Sequence, residues 1–136
     1  SDMVALAQRL MTEGKIDYLD MSLWDVFKEP EDANLKGRSL MSLFTELKRG
    51  KVRLGAAGKI VTAEHAADRM NHGLDFVVVG RTGILHHDWP RRVAENPQAR
   101  PIALPVTAQY LRDEGLSDTF VGYMRNWKGF VAEDAA

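Results

Sequence analysis

VRLGAAGKIVTAEHAADRMNHGLDFVVVGR, residues 52–81, is the stretch whose reading decides the fold. "KVRLGAAG" and "DFVVVG" are apolar runs of strand length, and the segment between them has the marks of a helix. Thr62 is suited to cap its start, Glu64 sits in its first turn, and Gly73 stops it. Ala63, Ala66, Ala67 and Met70 supply one apolar face. Strand, helix, strand in this order means parallel pairing through a crossover.

Both strands run into chemistry. "GAAGKIV" leaves backbone N–H groups uncovered by side chains, while the helix beginning at Thr62 turns its positive end the same way, which suits an anion. The stretch is not a Walker A loop, because Arg53 stands where that motif has glycine and Ile60 where it has Ser or Thr. It reads equally as an ordinary small-residue turn. The second strand ends in Gly80-Arg81. Adjacent parallel strands bring their C-terminal ends together, so Gly58-Lys59 and Gly80-Arg81 are expected to be neighbours, offering backbone donors, a forked guanidinium and an ammonium to a phosphate. Arg81 alone also fits a salt bridge across a barrel rim.

Outward from this unit the same alternation continues. Met3, Leu6, Ala7 and Leu10 predict a helix that Gly14 closes, and Ile16 to Ser22 is strand-like. "LWDVFKEPEDANLKGR" follows as a sixteen-residue loop, long enough to be either functional or mobile. Ser39 opens a helix with a Leu40, Leu43, Phe44 and Leu47 stripe, stopped by Gly50. Beyond Arg81 the chain reads as helices over "HHDWPRRVAENP", Thr107 to Glu114, and Ser117 to about Trp127.

The 136 residues carry 18 basic and 19 acidic side chains, a formal net charge of -1. That balance argues against nucleic acid and anionic membrane as partners. No apolar run reaches the roughly 20 residues of a membrane span, and the first residues lack the pattern of a signal peptide. The absence of cysteine excludes disulfides, thiolate metal sites and a cysteine nucleophile, and fits a cytoplasmic protein.

The pair of motifs resembles the last two barrel units of the Old Yellow Enzyme group of FMN-dependent ene-reductases and NADH:flavin oxidoreductases, and the resemblance extends over about Ile16 to Val131. It implies an α/β fold, a partial (β/α)8 TIM barrel in which residues 1–136 form strands six to eight with their helices and the C-terminal helices. It also implies an FMN site at Ala57, Gly58 and Lys59 and at Gly80 and Arg81, with Ser22 near the flavin on strand six. The complete enzyme would take electrons from NADH or NADPH and reduce a small-molecule substrate, an activated alkene or similar acceptor. The groups that such enzymes place over the flavin ring have no counterpart in this chain, so no catalytic residue is assigned to it. A non-catalytic half-barrel that acts by assembly and a phosphate-binding barrel of different chemistry are the rival readings.

Other residues attract attention for less. His86, His87 and Asp88 resemble metal ligands, but adjacent histidines usually point apart and no further ligand lies at a regular spacing, so no metal site is assigned. His65 and His72 read as surface or packing residues. Trp24 and Phe27 fit either a pocket wall or a cover for the barrel end. Three strands of an opened barrel would leave two unpaired edges and an inner apolar face, expected at Val52, Leu54, Val77 and Val79, to be covered by the missing N-terminal half-barrel or by another copy.

Overall fold

The computed structural model describes residues 2–133, and the chain divides into two compact units, Ser1–Gly80 and Arg81–Ala136. The first unit is built on three strands, β1 (Tyr18–Ser22), β2 (Arg53–Ala57) and β3 (Phe76–Val78), parallel and in sequential order. Helices α1 (Asp2–Glu13), α2 (Ser42–Thr45) and α3 (Ala63–Asn71) alternate with them. Parallel strands cannot be joined by tight turns, and each crossover carries helical structure for that reason.

The register divides the sheet into two unlike faces. Leu19, Met21, Leu54, Ala56 and Val77 point to the side on which Ala7, Met11, Met41, Phe44, Ile60 and Leu74 close a core. The opposite side carries Tyr18, Asp20 and Ser22 from β1, Arg53, Gly55 and Ala57 from β2, and Phe76 and Val78 from β3. Tyr18, Asp20, Ser22 and Arg53 are exposed there. The expected inner face of Val52, Leu54, Val77 and Val79 is therefore corrected. Those four pack into the helix-covered core, and the uncovered face is mixed polar and aromatic. Gly55 belongs to that arrangement: a Cβ on it would lie 2.0 Å from the Phe76 ring, which spreads over the glycine and meets Tyr18 edge-on at 5.7 Å.

Helix positions follow the sequence more closely than helix faces do. In α1 the buried residues are Ala7 and Met11 with Val4 beside them, so the stripe is rotated from the expected one and leaves Met3 and Leu6 exposed. In α3 Thr62 caps as expected, its hydroxyl accepting the His65 N–H at 3.1 Å. Its apolar face differs: Met70 is exposed and Arg69 buried. The Arg69 guanidinium lies 4.7 Å from the Phe27 ring centre and pairs with Asp68, which satisfies a charge that would otherwise stay in water. The helix expected from Ser39 shrinks to one turn. Gln8 bonds both the N–H and the carbonyl of Lys48, at 3.2 and 2.8 Å, and so takes the N–H that a longer helix would have used.

In the second unit α4 (Arg81–Leu85) begins immediately after Gly80, a turn earlier than the sequence suggests. It is followed by α5 (Trp89–Glu95), α6 (Ala108–Asp113) and α7 (Asp118–Met124). Thr107 and Ser117 cap the last two. Leu85, Val106, Leu111, Val121, Met124 and Phe130 form its core, and a parallel bridge joins Val106 to Val131.

Candidate functional site

All three strands run the same way, so their C-terminal ends share one edge of the sheet, the edge at which open α/β sheets bind ligands. Ser22 ends β1 there, exposed and level with Ala57 on the uncovered face. Ala57 ends β2, and Gly58 and Lys59 follow it. Gly80 lies two residues past the end of β3 and is exposed, with open space where a Cβ would stand. Arg81 is next in the chain, exposed, with no hydrogen-bond or ion-pair partner among the described residues.

The turn after β2 is tightly clasped by the loop after β1. Leu23 donates its N–H to the Ala57 carbonyl at 3.0 Å, and Val26 donates to the Gly58 carbonyl at 3.2 Å. Gly58 has φ +141, and a Cβ on it would come within 2.6 Å of the Trp24 carbonyl carbon and 2.7 Å of the Asp25 nitrogen. Glycine is thus required at 58 by the chain's own backbone. Lys59 takes φ +55 and places its ammonium 2.8 Å from an Asp25 carboxylate oxygen. The hydrogen bond from Lys59 chiefly holds the Asp25 carboxyl below its usual range, against a contrary effect of burial, with help from the Phe27 N–H. Ser22, Ala57, Gly58, Lys59 and Gly80 therefore meet on one edge, where a residue that sequence reasoning did not single out, Asp25, occupies the lysine. Nothing in the sequence signals it, because the pairing depends on a left-handed turn at a lysine. For a phosphate-bearing group this edge of the first unit offers the Lys59 ammonium, shared with Asp25, and the open backbone at Gly80.

Phe27 is partly covered by two neighbours from α3. Its ring meets His65 edge-on at 5.1 Å and underlies the Arg69 guanidinium. A separate cluster lies in the second unit. Glu114 accepts both the His87 N–H at 3.0 Å and its ring nitrogen at 2.8 Å, bringing a third potential ligand to His87 and Asp88 that sequence spacing did not reveal. Arg92 already pairs with Asp88 at 2.6 Å and approaches Glu114 at 3.9 Å, so a cation of this chain holds the carboxylates that a metal would need.

His86 is buried, and its bonding identifies its tautomer. Nε2 accepts the Ile102 N–H at 2.9 Å, while the Tyr110 hydroxyl donates to the Leu85 carbonyl and lies 3.1 Å from Nδ1. The proton is thus on Nδ1, the ring is neutral, and each nitrogen has a partner. Burial pushes its pKa down, Arg92 adds to this, and Glu114 and Asp88 pull the other way. A folded pKa below the ordinary value of about 6.5 contributes stability that is complete above that value and is lost as pH falls through the lower, folded one. Urea midpoints are expected to fall from about pH 6.5 toward 5 in the parent chain and to change less in His86→Gln; equal slopes would remove His86 as the cause.

No protein-family model matches the chain. Over 81 residues, 60% of its length, it is 32% identical to the probable NADH-dependent flavin oxidoreductase YqiG of Bacillus subtilis strain 168. The matched stretch spans 22% of that relative, so the match covers about a fifth of its length. Most of this chain is thus similar to a segment of a flavin oxidoreductase. Among the described residues no helix is long and apolar enough to cross a membrane.

Proposed function

We propose that this chain is the C-terminal, FMN-phosphate-binding part of an Old Yellow Enzyme-like oxidoreductase, comprising strands six to eight of a (β/α)8 barrel. One observation carries the reading: two adjacent parallel strands each lead into a glycine followed by a cation, Gly58-Lys59 and Gly80-Arg81, in a chain similar to part of a flavin oxidoreductase. In this reading Ala57, Gly58 and Gly80 bring backbone close to the phosphate, Lys59 and Arg81 neutralise it, and Ser22 stands at the same edge nearer the ring. When bound, FMN supplies the hydride chemistry. The complete enzyme would pass a hydride from NADH or NADPH to an activated alkene or similar acceptor, in the cytoplasm, with the groups over the flavin ring supplied from outside this chain.

Titration of the purified full chain with FMN, followed by flavin fluorescence, tests the reading: saturable binding is expected, and a folded sample without it would overturn the cofactor assignment for this chain. Arg81→Ala is expected to weaken FMN about tenfold to a hundredfold, since a charge-assisted phosphate contact contributes about 1.5 to 3 kcal/mol. An unchanged dissociation constant would remove Arg81 from the site.

A second reading has its own support in the uncovered sheet face and the outer edges of β1 and β3, which suit a half-barrel that acts by assembly with the missing half or another copy. Light scattering on the same sample separates the two: oligomers without flavin affinity favour assembly, and a monomer that binds FMN favours the cofactor reading.

A further inference from the structure

We propose that Trp24 is an aromatic platform on which a planar heteroaromatic ring stacks at the C-terminal edge of the sheet. The inference deepens the flavin reading above and rests on it.

The geometry of residues 23–26 carries it. Leu23 packs against the core and Val26 is wholly buried, so the loop is pinned on both sides of Trp24. The two hydrogen bonds to Ala57 and Gly58 and the Asp25–Lys59 pair fasten it further. On this fixed base the Trp24 side chain is 81% exposed. Among the described residues its ring makes no hydrogen bond and no contact with another ring. The other two tryptophans are engaged differently: Trp89 is buried and stacks on His86 at 5.6 Å, and the Trp127 ring meets Tyr123 at 4.7 Å.

Trp24 also has φ +61, in the left-handed region where a bulky side chain is a marked outlier. Glycine would hold the same backbone at no steric cost. A strained position filled by a large, mostly exposed side chain with no hydrogen bond or ring contact among the described residues is the pattern expected where binding, rather than folding, selects the residue. Trp24 immediately precedes Asp25, the partner of Lys59, and both lie in the loop clasped to the turn after β2, so the proposal puts the stacked ring and a phosphate at Lys59 on one ligand, joined by a short linker. Stacking on an aromatic side chain tolerates any planar ring, whether the isoalloxazine of FMN or the nicotinamide of the electron donor.

The test compares the full parent chain with Trp24→Gly and Trp24→Phe, each titrated with FMN, NADH and glycerol phosphate. Trp24→Gly is expected to unfold at the same or a higher urea concentration than the parent, because it relieves the strained turn. It is expected to bind the ring-bearing ligand about tenfold more weakly and glycerol phosphate as before, with Trp24→Phe recovering most of the loss. A loss confined to FMN identifies the flavin as the stacked ring, and one confined to NADH identifies the nicotinamide. If the parent binds FMN and Trp24→Gly binds both ring ligands equally well, the platform is overturned and the flavin reading stands. If the parent binds neither ring ligand, both fall together.

Discussion

Gly58→Ala is expected to lower the stability of the chain by about 2 to 4 kcal/mol, read as a shift in the urea midpoint. The added methyl group would press on the Trp24 carbonyl carbon and the Asp25 nitrogen, which are backbone atoms and cannot rotate away. The φ of +141 adds strain of its own for any side chain. The loop would have to move as a body, weakening the Val26 hydrogen bond and the Lys59–Asp25 pair together. Gly80→Ala is the matched control. A methyl group there meets nothing within 4 Å and Gly80 takes no left-handed backbone angle, so stability is expected to change by less than about 0.5 kcal/mol. If Gly58→Ala proved as mild as Gly80→Ala, the clasp between the two loops would not exist in solution.

The second large effect is expected at Phe130. Its ring is almost wholly buried against Leu85, Val106, Leu111, Val121 and Met124. Its carbonyl accepts the Val106 N–H at 3.0 Å, so it also anchors the bridge between residues 106 and 131. Truncating a buried phenylalanine costs about 3 to 5 kcal/mol, a large share of what a unit of this size has to lose. Phe130→Ala should therefore abolish slow hydrogen exchange in α6 and α7. Retained protection there would mean that the core collapses around the gap.

The sequence made the order of elements legible because strand and helix periodicities differ and the caps at Thr62, Thr107 and Ser117 are local signals. It did not reveal which way the faces point. Leu54 and Val77 are apolar on either assignment, and only the covering helices decide that they form the helix-side core. Arg69 was equally opaque, since its burial depends on Phe27, far away in sequence. At the candidate site the glycines and cations could be read directly as residues able to meet a phosphate. Asp25 could not, because its pairing depends on left-handed backbone at Lys59, and for Trp24 the sequence offered a pocket wall or a barrel-end cover without the left-handed backbone that fixes the residue.

The Asp25–Lys59 pair gives the sheet edge a resident competitor. Asp25 is tethered two residues beyond Leu23, and so faces Lys59 at an effective concentration on the order of millimolar or above. An incoming anion competes with this built-in one for the ammonium's three donors. Dilute inorganic anions that offer a charge and little else are poorly placed to do so, whereas a ligand that brings further contacts overcomes the same threshold, and the pair would then act as a discriminator by admitting guests according to what they carry besides their charge.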